Sequence, residues 1–155
     1  MPGPLDDDPN PWLHLPKTAP YVLPENLAAL RRSSPRALAN LVFAASPGPF
    51  IGNSLTAQVI LLSLNPGWDE SDLEAASNEA IQIPWLKPLR LRDDAVFHPI
   101  DPDLIRAGGS PYWSRKLRAL IEAVGAGAVM AGVACVEWFP SQSRKFVPVN
   151  EPLPS

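Results

Sequence analysis

Ala57-Gln58-Val59-Ile60-Leu61-Leu62-Ser63-Leu64-Asn65-Pro66-Gly67-Trp68-Asp69 contains, from Val59 to Leu64, a short and almost unbroken apolar run. Its branched side chains suit a strand covered on both faces, as in a parallel sheet flanked by helices, so the run is expected to be a central strand. Asn65-Pro66-Gly67 must end it, because proline removes a backbone donor and glycine admits φ > 0. In open α/β sheets ligands bind beyond the carboxyl ends of the strands. Asn65 carries both a donor and an acceptor at that edge, which makes it the first candidate for a functional side chain. Asn-Pro-Gly is also an ordinary turn sequence, so other stretches must add to it.

With 155 residues and 46% hydrophobic content, the chain can build one domain with a real core. No window is a continuous apolar span of membrane length, and Met1-Pro2-Gly3-Pro4-Leu5 lacks the basic and apolar regions of a signal peptide. A soluble, cytoplasmic protein without membrane contact is expected. Cys135 is the single cysteine, so no internal disulfide is expected, nor a Cys/His zinc site; the thiol should pack as a small hydrophobe. The formal charge of −3 provides no global basic footprint, so any DNA contact must be local, through groups such as Arg31/Arg32/Arg36, Arg90/Arg92, Arg115/Lys116/Arg118 or Arg144/Lys145. Each group reads first as a solvated face and only second as a phosphate track.

Taken in order, residues 1–20 hold six prolines and the acidic triplet Asp6-Asp7-Asp8, and read as an arm that Trp12 and Leu13 pin to a domain spanning 21–148. Residues 149–155 form an irregular tail. Pro24 to Arg31 carries helix formers, and Ser34-Pro35 is an N-cap followed by proline at N1 for a second helix. Leu41 to Ala44 reads as a short strand before the loop Ser46 to Asn53, in which Phe50 and Asn53 could wall a pocket or merely connect. Ser71-Asp72-Leu73-Glu74 is a capping box that predicts a helix to about Ile81. His98-Pro99 falls in a loop, where a lone histidine reads as a surface or packed residue.

Ser110-Pro111 starts a core helix whose stripe is Trp113, Leu117, Leu120, Ile121 and Val124, ended by Gly125. Ala126 to Ala134 suggests a buried helix or turn, and Cys135 to Phe139 a strand. Glu137, Trp138, Ser141, Gln142 and Ser143 then gather at a second strand end, on the same edge as Asn65 if the two strands are parallel neighbours.

The order Pro49-Phe50-Ile51-Gly52-Asn53, Val59 to Gly67, Tyr112-Trp113 and Val136-Glu137-Trp138-Phe139-Pro140 resembles the uracil-DNA glycosylase-like superfamily over roughly residues 40 to 145. Leu64-Asn65-Pro66-Gly67 is similar to the first active-site motif of its mismatch-specific branch. The resemblance implies a three-layer α/β/α fold with a central, mostly parallel sheet, incomplete at the carboxyl-terminal end, and no cofactor or metal. It implies a site in which Asn65 orients a water against C1′ of a flipped-out deoxyuridine or damaged nucleotide. The backbone around Leu64, Pro66 and Gly67 would receive the departing base, Trp68 and Phe50 would stack on it, and Asn53 and Ser141 would help to bind it. DNA, single- or double-stranded, is the implied partner. The second, serine-containing motif of the superfamily has no counterpart: His98-Pro99-Ile100 comes too early, and the chain runs out in Glu151-Pro152-Leu153-Pro154-Ser155. This leaves two alternatives open, the amino-terminal part of a longer protein and a short relative without catalysis. The latter would be a nucleobase, nucleotide or protein binding module, and an inactive fragment is the remaining reading.

Overall fold

A computed structural model describes residues 10–68, 70, 72, 84, 87–89, 92, 94–104 and 110–148. The expected capping-box helix, the acidic triplet and the 149–155 tail lie outside these. At the amino-terminal end, Asn10 accepts from the Trp12 amide at 3.1 Å and opens a single 3₁₀ turn, Pro11–His14. Trp12 is buried against Leu23 and Leu89, Leu15 packs on the same cluster and Asn10 Nδ2 donates to the Leu89 carbonyl at 2.6 Å, whereas Leu13 is exposed and does not join Trp12 in pinning this segment. Helices α1 (Asn26–Arg31) and α2 (Pro35–Asn40) follow. Ser34 caps α2 as expected, its hydroxyl accepting from the Ala37 amide at 3.2 Å with proline at the first helical position.

The strand expected at Leu41 to Ala44 does not form. Leu41 makes one isolated antiparallel bridge to Ser143, Val42 donates to the Gln142 carbonyl, and the chain then turns. The backbone turns at Phe43-Ala44, the Ala45 amide donating to the Val42 carbonyl at 3.2 Å, so only Leu41 and Val42 run beside the Gln142-Ser143 segment.

Three strands make a mixed sheet: β1 (Phe50–Ile51), β2 (Val59–Ser63) and β3 (Val133–Glu137), in the order β1-β3-β2. β2 runs parallel to β3 with Val59 opposite Val133 and Ser63 opposite Glu137, and β1 runs antiparallel to β3 with Ile51 opposite Cys135. Among the described residues the central strand is therefore β3, and the expectation that Val59–Leu64 is central and covered on both faces is corrected. Ala134 and Cys135 are fully buried, while Leu62 in β2 is 72% exposed. The chain comes very close to β3 just after β1, at Gly52. A Cβ on Gly52 would lie 2.6 Å from the Val133 carbonyl oxygen, and Gly52 has a φ of +79°, so glycine is required twice over.

The crossover back to β3 is helical. Helices α3 (Ser110–Lys116), α4 (Arg118–Val124) and α5 (Ala126–Gly132) lead into it, and Gly125 ends α4 at a φ of +84°. The single core helix expected from Ser110 to Val124 is broken at Leu117. Trp113 and Leu117 remain buried and Ile121 packs against the core partly buried, but Leu120 and Val124 face outward, so only part of the apolar stripe serves the core. The core lies between these helices and β3, where Phe97, Ile100, Trp113, Leu117, Val129, Val133 and Cys135 pack together. Phe97 meets Trp113 edge to face, with ring centres 5.0 Å apart. Side chains of this kind each stabilise the fold by roughly 1.5–3 kcal/mol on burial. No helix among the described residues is long and apolar enough to cross a membrane.

Candidate functional site

Parallel pairing carries the ends of β2 and β3 to one edge, as the strand-end reading required. It continues beyond both strands: Trp138 and Phe139 donate to the carbonyls of Ser63 and Leu64, and the Ser143 amide reaches the Pro66 carbonyl at 3.3 Å. Gly67 forms a parallel bridge to Ser143. The Asn65-Pro66-Gly67 turn is thus laid along the segment that follows Glu137. Asn65 strengthens this docking, since its Nδ2 donates to the Ser143 hydroxyl at 2.7 Å and to the Pro66 carbonyl at 2.8 Å. With the amide nitrogen committed, Oδ1 is the atom Asn65 retains for a ligand or a water.

A cavity of about 510 Å³ opens at this edge. That volume lies within the range of roughly 300–1,000 Å³ usual for small-molecule sites. One wall is the strand end and turn, Ser63 and Asn65 to Trp68; the opposite wall is the start of α3, Pro111 to Trp113 with Arg115. Asp72 and Glu137, both buried, complete it. Trp68, Tyr112 and Trp113 supply flat apolar surface, which suits an aromatic ligand. Tyr112 and Trp113 contact each other edge to face at 5.1 Å.

Glu137 is the chemically unusual group. It is 6% exposed, receives the Cys135 thiol only at 3.9 Å on Oε1, and leaves Oε2 buried without a hydrogen-bond partner. Burial pushes its carboxyl above the usual carboxylate range; hydrogen bonding to Ser63 and Cys135 acts against the shift without overcoming it. Burial likewise pushes the Cys135 thiol up to about 12, with Glu137 adding to the effect, so Cys135 is an inert packing residue. His98 is buried beside the core, not on a surface loop, and desolvation lowers it to about 4.

Asn65, Pro66, Gly67 and Trp68 thus come together around one cavity. Leu64, Phe50, Asn53 and Ser141 are not among the residues that line it. Leu64 is exposed and its carbonyl accepts from Phe139. Phe50 packs against the Trp12 cluster, and Asn53 turns its Oδ1 onto the amides of Leu55 and Thr56, where it caps a local turn. Ser63, Asp72 and the α3 residues are lining groups that sequence reasoning did not single out, and Glu137 was expected at this edge without a role in the site. The available signal was a carboxylate directly after the apolar run Val133 to Val136, where a strand must end. No acidic, histidine or cysteine group of metal-binding size exists among the described residues.

Compared with protein families, with curated proteins and with solved structures, the chain has no match.

Proposed function

We propose that this chain is a uracil-DNA glycosylase-like protein that takes an extrahelical nucleobase into the cavity beside Asn65 and hydrolyses its N-glycosidic bond. The observation that carries the reading is the parallel register of Ser63 with Glu137, which gathers a turn asparagine, a buried carboxyl and three aromatic side chains at one strand edge. A flipped base needs hydrogen bonds at its edge and a flat surface at its face, and both are here. Asn65 Oδ1 orients a water towards C1′; the water oxygen bonds to C1′ as the C1′–N bond breaks, the bonding pair leaves with the base, and the proton that the water sheds ends on the departed base through solvent. A carboxamide acts in such a step by position rather than as a base. The reading carries with it a three-layer arrangement around a mostly parallel sheet, to which β2 and β3 contribute the parallel pair, and a cytoplasmic site of action on DNA.

The test is release of uracil or of a damaged base, an oxidised guanine included, from single- and double-stranded oligonucleotides. Base release that falls at least about a hundredfold in Asn65→Ala is the expected result, by analogy with loss of a positioning group. Release unaffected by the substitution removes Asn65 from the mechanism. A second reading, a nucleobase-binding module without catalysis, is favoured by one observation: the amide nitrogen of Asn65 is already engaged in holding the turn. Under that reading the oligonucleotides bind in a salt-dependent manner and no base is released.

A further inference from the structure

The cavity is acidic at its floor and basic at its rim. On the floor, Glu137 and Asp72 are 6% and 7% exposed. Around the opening stand three exposed cations: Arg115 lines the cavity, Lys116 Nζ lies 5.7 Å from the ring centre of Tyr112, and the Arg144 guanidinium lies 4.6 Å from that of Trp68. A nucleotide fits this polarity in one orientation, with its phosphate outward among the cations and its base inward against the carboxyl. The base must then satisfy Glu137 Oε2, an acceptor buried without a partner; elsewhere on the same carboxyl, Oε1 meets the Cys135 thiol weakly at 3.9 Å and Ser63 adds hydrogen bonding. A carboxylate offers two acceptors side by side, and their complement is an edge with two adjacent N–H donors. Guanine presents such an edge with N1–H and N2–H₂, whereas adenine presents a lone pair at N1.

We propose that Glu137 is the specificity-determining residue of this cavity and selects a guanine-type base, one whose edge offers paired N–H donors, from a nucleotide held by its phosphate at the Arg115, Lys116 and Arg144 rim. The inference rests on the base-binding reading and narrows it, within the damaged bases, to guanine-type ones, since uracil and hypoxanthine each offer a single N–H with no second donor beside it. Burial strengthens the selection, because a charge-assisted hydrogen bond made in a desolvated site is stronger than one in water and leaving the acceptor unpaired is costly.

The experiment compares guanosine 5′-monophosphate with adenosine 5′-monophosphate by calorimetric titration, in the intact protein and in Glu137→Gln, whose carboxamide keeps the shape but only one acceptor. The expected result is a guanine preference of about tenfold or more in the intact protein that falls to within about threefold in Glu137→Gln. Equal affinities in the intact protein, or a preference that survives the substitution, overturn the role of Glu137 while nucleotide binding stands. If neither nucleotide binds, the base-binding reading falls and the selection falls with it. Should Glu137→Gln fail to fold, the side-chain carboxyl carbon signal of Glu137 in the intact protein decides. It must move on addition of the guanine nucleotide and not the adenine one, and a signal unmoved by the guanine nucleotide overturns the proposal.

Discussion

Asn65 holds its own turn and, on the reading above, a water as well, and the two roles separate by atom. Nδ2 ties the turn to Ser143, whose side chain is buried, so truncation to alanine leaves that hydroxyl without its partner. We expect Asn65→Ala to lower stability by roughly 1–2 kcal/mol, read from urea denaturation, and to leave the chain folded. A loss of base release much larger than that cost reports on Oδ1 rather than on the fold. Of the residues at this edge, Asn65 is legible in the sequence because proline and glycine after an apolar run force a turn there. Glu137 is legible only in its place at the edge, since a carboxylate at a strand end looks the same in sequence whether it faces water or a cavity. Phe50 and Asn53 show the converse: both sit in a constrained loop near the strand, yet one fills the Trp12 cluster and the other caps a turn.

At the scale of elements, the close approach of Gly52 to β3 decides how the sheet closes. Gly52→Ala introduces a Cβ 2.6 Å from the Val133 carbonyl oxygen, on a residue whose φ is +79°. Something in the backbone must shift, and we expect a loss of at least about 2 kcal/mol in denaturant unfolding. A cost below about 0.5 kcal/mol would mean that β1 does not pack against β3 in this way. Helix starts are read well from the sequence: Ser34-Pro35 and Ser110-Pro111 each open a helix, because proline at the first turn forfeits only a donor that has no partner there. Continuity of a helix is read less well. The period of Trp113, Leu117, Leu120, Ile121 and Val124 is that of one unbroken helix, but the chain bends at Leu117 and turns Leu120 and Val124 towards solvent. Periodicity records which side chains are apolar, and packing decides how far along the helix a neighbour lies.

Over the whole molecule, two buried titratable groups pull stability in opposite directions with pH. His98 is held neutral, with its pKa lowered from 6.5 to about 4 by burial, so between these values the unfolded chain binds more protons than the folded one. Its contribution is therefore full above pH 6.5 and is lost as pH falls towards 4. Glu137, raised above 4.5, binds its proton more tightly in the folded than in the unfolded chain, so its contribution is full below 4.5 and is lost as pH rises through the folded value. The difference in unfolding free energy between the protein and His98→Gln isolates the first effect. We expect that difference to change by roughly 3 kcal/mol between pH 7 and pH 4, and a difference independent of pH would place His98 in water. By itself the sequence determined a mixed α/β chain, with an apolar strand ending at Asn65-Pro66-Gly67 and a second apolar strand before Glu137, because these follow from local propensity and turn chemistry. Only the tertiary structure decided that β3, not β2, lies at the centre, that His98 is buried, and that Glu137 closes the cavity beside Asn65. Those outcomes depend on which surfaces meet: burial is a property of residues distant along the chain, and a desolvated carboxyl has no signature in the residues next to it.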